Sequence, residues 1–177
     1  MIAAVVLCMV TSSIATDVWP LPSSATGGSI SLPVDPSGTD FFKWSGASNP
    51  LINAAFERYS ALCFPHTSKP GKSSPKSLIT HMVVSADDQT SGYPTIDTDE
   101  SYQLLLSPAS AKLNAKTVFG VLRGLETFSQ LVMFDYDSEA YQIEGGPWTI
   151  SDSPRFAHRG LMIDTARHFQ VDTTQAN

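Results

Sequence analysis

Hydrophobic residues along the chain change period several times, and each change marks an element. Leu51, Ile52, Ala55, Phe56 and Tyr59 fall on one helical face behind Asn49-Pro50, which offers a side-chain cap and a proline at the first helical position. That pattern predicts an amphipathic helix over residues 50–62. A stronger one follows Thr117, where Val118, Val121, Leu122, Leu125, Phe128 and Val132 share the buried side. Arg123 and Glu126, three apart on this helix, are expected to form a modest surface pair. Shorter apolar and β-branched runs predict strands near residues 29–32, 41–44, 78–85, 102–107, 111–116 and 140–144, and Trp148-Thr149-Ile150 leads on to the last part of the chain. Residues 66–76 and 87–99 are polar and read as surface loops, and Gly145-Gly146-Pro147 is a breaker. Strands mixed with two unequal helices, without βαβ alternation, predict an α+β domain with one sheet and helices on one side.

The two ends of the chain differ from this middle. Residues 2–10 are continuously apolar or small, too few to span a bilayer, and Ser13-Ile14-Ala15 places small residues where a signal peptidase cuts. Residues 1–15 therefore read as a signal peptide, although no Lys or Arg precedes the apolar run; the alternative is a buried N-terminal strand or helix. Near the other end, Leu161 to Ile163 form a short apolar run bracketed by charge, which suits a buried parallel strand delivering polar groups into a cleft at its carboxyl end. A boundary falls near residues 151–153, giving a domain over 16–152 and the start of a second over 153–177.

Composition narrows the setting. Only 16% of the 177 residues are charged and the net charge is −6, with no basic stripe, so nucleic acid is excluded as a partner. No stretch approaches eighteen apolar residues, so no transmembrane helix is expected. Low charge with many Ser, Thr and Pro fits an extracellular or luminal protein. With Cys8 inside the signal, Cys63 is left either as a free buried thiol or with a partner elsewhere. No Asn begins an N-glycosylation sequence.

Ser153-Pro154-Arg155-Phe156-Ala157-His158-Arg159-Gly160-Leu161-Met162-Ile163-Asp164-Thr165-Ala166-Arg167-His168-Phe169 resembles the opening strand of the catalytic barrel in β-N-acetylhexosaminidases, the family 20 glycoside hydrolases. Asp99-Glu100-Ser101-Tyr102 and the run from Val118 to Leu131 resemble two stretches of that family's N-terminal domain, in the same order. The resemblance implies a zincin-like N-terminal domain, a mostly antiparallel sheet with helices on one side, followed by the first strand of a truncated TIM (β/α)8 barrel. It implies no metal and no cofactor, and the chain carries no His-Glu-x-x-His. The implied activity of the full-length protein is removal of terminal, non-reducing β-linked N-acetylhexosamine from glycoconjugates or chitooligosaccharides. The mechanism would be retaining and substrate-assisted, with the sugar's own acetamido oxygen as nucleophile. A homodimer of the full-length protein is compatible with the resemblance, and the secretory pathway, extracellular space, lysosome or vacuole with the leader.

Within that frame Arg167 is the substrate-binding candidate. A guanidinium is always charged and holds two neighbouring hydroxyls in a rigid fork. The other reading of Arg167 is a structural arginine paired to a carboxylate. Asp164 reads as a supporting ion-pair partner that orients an arginine, and His168 as a cleft-lining neighbour. His158 is expected to pack beneath the strand, and Arg159 to be structural. His158 and His168 without a third ligand make a poor metal site. The pair Asp99-Glu100 lacks the preceding Gly-Gly of the family's catalytic Asp-Glu and reads as structural; that catalytic pair would lie beyond Asn177, leaving no catalytic residue within this chain. Two other classes stay open: a non-catalytic secreted interaction module built on the same domain and, more remotely, an unrelated metallopeptidase.

The leader reading has a direct check. Edman or mass-spectrometric sequencing of secreted material should begin at Thr16, whereas a cytosolic product with Met1 intact would remove the secretory assignment.

Overall fold

A computed structural model describes residues 18–68, 77–162 and 164. The two predicted helices are present: α1 spans Pro50–Cys63 and α2 spans Val118–Leu131. Asn49 caps α1, its side-chain oxygen accepting from the backbone N–H of Leu51 at 3.0 Å, with Pro50 in the first turn where no N–H is needed. Ile52, Ala55, Tyr59 and Cys63 form its buried stripe. Thr117 caps α2 through the N–H of Gly120 at 3.3 Å, and Val121, Leu125 and Phe128 are fully buried beneath it. Val132, expected on the helix's apolar side, instead begins a strand, because the chain turns extended there to pair with Ile143.

Among the described residues nine strands form two sheets rather than the single sheet expected. They are β1 (Ser24–Thr26), β2 (Ile30–Val34), β3 (Phe42–Trp44), β4 (Met82–Asp88), β5 (Tyr102–Ser107), β6 (Ser110–Thr117), β7 (Val132–Asp135), β8 (Ala140–Gly146) and β9 (Trp148–Asp152). The larger sheet runs β1-β9-β5-β6-β4-β3, parallel where β4 meets β6 and β3 and antiparallel elsewhere. The smaller, β2-β8-β7, is antiparallel throughout. The split occurs at Gly145-Gly146-Pro147. Gly145 takes φ +68, and Pro147 has no N–H to continue the ladder, so β8 stays in one sheet while β9 enters the other. The chain makes the same transfer between β1 and β2 through Gly27 and Gly28. The two crossings touch where the Gly28 N–H donates to the Gly145 carbonyl at 2.6 Å.

Alternation along the central strands decides the layers. Met82, Val84 and Ala86 of β4, Leu104 and Leu106 of β5, and Leu113 and Ala115 of β6 point to one buried face. Helix α2 covers that face, and α1 packs beside it, Phe56 stacking on Phe42 of β3 with ring centroids 5.4 Å apart. Both helices thus lie on one side. The opposite face is open and polar, with Ser85, Asn114, Gln103, Ser151 and Ser24 paired in one row across five strands.

Beyond β9 the expectation of a buried parallel strand is not met in the described residues. Leu161 and Met162 carry no strand pairing and are 86% and 89% exposed, and Ile163 lies outside the described residues. A buried parallel strand requires neighbours on both edges and cover on both faces, and no described strand pairs with this segment.

Helix α2 sits close to the sheet because two of its inward positions are glycines. A Cβ at Gly120 would lie 2.6 Å from the Ser101 carbonyl oxygen, a backbone atom that cannot swing aside, and one at Gly124 would meet the Leu113 side chain. Alanine is favoured over glycine in helices by about 1 kcal/mol, whereas overpacking costs about 1–3 kcal/mol. Gly120→Ala should therefore lower stability in urea or thermal denaturation; a stabilised variant would show that the helix is free to lift.

Candidate functional site

Two guanidinium groups converge on the partly buried Glu100. This residue lies in the turn before β5, and its side chain is only 12% exposed. Its Oε2 accepts from Arg123 Nε of α2 at 2.6 Å, and its Oε1 accepts from Arg159 Nη2 at 2.5 Å. Arg159 also donates through Nη1 to the Phe156 carbonyl of its own segment. The helix start is fastened to the same turn, since the Thr117 hydroxyl donates to the Asp99 carbonyl at 2.7 Å and the Lys116 N–H to the Ser101 carbonyl at 3.0 Å.

These contacts separate the roles of the adjacent acids. Burial alone raises the Glu100 carboxyl, but the hydrogen bonds and charges of Arg123 and Arg159 outweigh it and hold the group below the usual glutamate range. Its contribution to stability is thus present above the ordinary glutamate pKa and lost as pH falls through the lowered one. Asp99 is exposed and is likewise lowered, first by its hydrogen bond with the Ser101 side chain and then by the Ser101 N–H, which donates to its Oδ1 at 2.9 Å. A general acid working near neutrality needs a raised pKa, so this pair is suited to holding structure.

Arg159, read from sequence as structural, is one of the two arginines on Glu100. The expected pair of Arg123 with Glu126 does not form. Arg123 reaches Glu100, while Glu126 accepts from the Tyr59 hydroxyl at 2.8 Å, joining α2 to α1. His158 is exposed rather than packed beneath a strand, as is its whole segment from Arg155 to Met162. Asp164 is exposed, and Arg167 and His168 lie outside the described residues. The partnership of Glu100 with Arg123 was not visible in the sequence, because 23 residues and two strands separate them and nothing in the local spacing links them.

Other groups offer less chemistry. Cys63 is a buried free thiol, and burial first, then the nearby Glu126 charge, push it up to about 12, leaving it protonated and inert. Among the described residues no three His, Cys, Asp or Glu side chains cluster closely enough to hold a metal ion. Asp40, Phe42, Trp44, Asn53, Phe56 and Glu57 line a shallow groove of about 600 Å³ that shares no residue with the Glu100 node.

Comparison with known proteins identifies this arrangement. Residues 18–131 match the family model described as beta-acetyl hexosaminidase like. The chain is 40% identical over 168 residues to beta-hexosaminidase 1 of Arabidopsis thaliana, an alignment covering 86% of this chain and 31% of that protein. It is 37% identical over 163 residues to beta-hexosaminidase subunit B2 of Dictyostelium discoideum, covering 89% of this chain and 28% of that one. The chain thus spans about a third of the length of these relatives. Among solved structures, the chitobiase of Flavobacterium johnsoniae superposes with a TM-score of 0.64 at 26% identity, covering 86% of this chain and 23% of the chitobiase. The α+β domain with its two helices is therefore the family's N-terminal domain, and the chain belongs to the β-N-acetylhexosaminidases of glycoside hydrolase family 20 as an N-terminal portion.

Proposed function

We propose that the protein to which this chain contributes its N-terminal part is a β-N-acetylhexosaminidase, acting on terminal β-linked N-acetylhexosamine of glycans or glycoconjugates. The match of residues 18–131 to the family model carries this reading. The run from Ser153 to Phe169, which resembles the opening strand of the family's barrel, supports it. The reaction would be retaining, with the substrate's acetamido oxygen attacking the anomeric carbon. One carboxylate orients the acetamido group; a second protonates the leaving oxygen and then activates water. Asp99 and Glu100 are poor candidates for those roles, since hydrogen bonds hold both in the charged form.

In this scheme residues 16–152 are the accessory domain and 153–177 open the catalytic barrel. Arg167 grips hydroxyls of the terminal sugar, with Asp164 and His168 in support. The apolar leader, residues 2–10, supports delivery through the secretory pathway to the extracellular space, lysosome or vacuole.

Two measurements test the reading. Purified residues 16–177 should release no chromophore from a chromogenic N-acetylglucosaminide, while the full-length protein should; turnover by the short form that survives repurification would mean the catalytic groups lie within it. In the full-length protein Arg167→Lys keeps the charge but loses the fork. Hydrogen bonds to a charged donor contribute about 1.5–3 kcal/mol each, so kcat/KM should fall roughly ten- to a thousand-fold. An unchanged kcat/KM would remove Arg167 from the sugar site.

A further inference from the structure

The segment after β9 is held to the domain by charge rather than by packing. From Arg155 to Met162 every residue is exposed, and Phe156, Leu161 and Met162 are 66%, 86% and 89% exposed, so apolar burial does little to anchor it. Among the described residues from Arg155 to Met162, the polar contact to the domain is made by the Arg159 guanidinium, which reaches Glu100 with one nitrogen and closes a turn onto the Phe156 carbonyl with another. Glu100 in turn cannot follow Arg159 freely. Its other oxygen is taken by Arg123, which rises from a helix locked against the sheet at Gly120 and Gly124. Three residues 23 and 36 positions apart in sequence thus meet at one carboxylate, and only one of them belongs to the loose segment.

We propose that Glu100 is a positioning residue: aimed by Arg123, it latches Arg159, which precedes Arg167 in sequence, and thereby sets where the segment from Arg155 to Met162 leaves the N-terminal domain. The inference rests on the reading of Arg167 as the sugar-binding group. A guanidinium whose two nitrogens are held at once, one by Glu100 and one by the Phe156 carbonyl, is fixed in both distance and direction, whereas an apolar contact at this exposed site would fix neither. Arg159 is 38% exposed, and partly exposed ion pairs add little to global stability. Losing the latch should therefore release the segment without melting the domain, and that asymmetry separates positioning from a merely structural role.

Trypsin reads the latch directly, because Arg159 must leave Glu100 before it can enter the protease's specificity pocket. With opening fast relative to cleavage, the rate after Arg159 reports the open population. In the 177-residue chain Glu100→Gln should speed cleavage after Arg159 about tenfold or more, leave cleavage after Arg58 inside α1 unchanged, and shift Tm by no more than about 3 °C. Equal rates after Arg159 in the two forms would overturn the latch. If cleavage after Arg58 rises in parallel, the variant has unfolded. Arg159→Lys then takes its place: it keeps the charge and the cleavage site but loses the fork, and should still accelerate cleavage after residue 159 severalfold, an unchanged rate overturning the latch. In the full-length protein Glu100→Gln should raise KM for a chromogenic N-acetylglucosaminide and lower kcat/KM about tenfold, by misplacing Arg167. An active wild type with a fully active, well-folded Glu100→Gln variant would overturn the positioning role and leave the hydrolase reading intact. An inactive wild type would overturn the hydrolase reading, and the role toward Arg167 with it, even where trypsin shows the latch.

Discussion

The close approach of α2 to the central strands is the constraint on which the rest of the domain depends. Gly120 and Gly124 let the helix backbone settle over Ser101 and Leu113, where any side chain would collide. At that separation Val121, Leu125 and Phe128 are completely buried against β4, β5 and β6, each such burial worth about 1.5–3 kcal/mol. The same approach brings Tyr102 against Thr127, their hydroxyls 2.6 Å apart in the core, and sets Glu126 to accept from Tyr59 of α1. Arg123, one residue before Gly124, is then directed at Glu100. A packing requirement of the interior thus sets the geometry of the charged node at the surface.

The division into two sheets follows from a second, local constraint. At Gly27-Gly28 and at Gly145-Gly146-Pro147 the chain leaves one sheet for the other, and the two crossings share a backbone hydrogen bond. Small residues are needed there because Trp148 and Leu32 fill the space that side chains would take. With the helices on one face of the larger sheet, its other face keeps a row of Ser, Asn and Gln residues in solvent. That face contributes nothing to the hydrophobic core, and beside this row it carries the exposed Lys116–Asp87 ion pair.

The family relationship gives the Asp99-Glu100 pair its interest. Two neighbouring carboxylates in a glycosidase relative invite a catalytic reading, yet the physical surroundings point elsewhere. Two guanidinium groups hold Glu100 ionised, and Asp99 is spent on its own turn. Carboxylates become general acids where desolvation wins over pairing, and here pairing wins.

How much of this was legible in advance depends on the range of the forces involved. Both helices, with their caps at Asn49 and Thr117, and the strand Tyr102–Ser107 were readable from the sequence, because caps and periodicity act within a few residues. The family motifs were likewise readable. The short strands β1 and β7 were missed, since Ser24–Thr26 and Val132–Asp135 have no pattern of their own and become strands only by pairing with β9 and β8. The predicted strand at residues 78–85 moved to Met82–Asp88 because its register is set by β6 and β3. Arg123 chose Glu100 over its helical neighbour Glu126 for a reason no local rule contains. Tertiary packing had already given Glu126 to Tyr59 and had placed a partly buried carboxylate within reach of Arg123. Local chemistry thus determined which elements form and where they begin, and the folded chain alone decided which charges meet, because an ion pair is selected by distance in space rather than along the sequence.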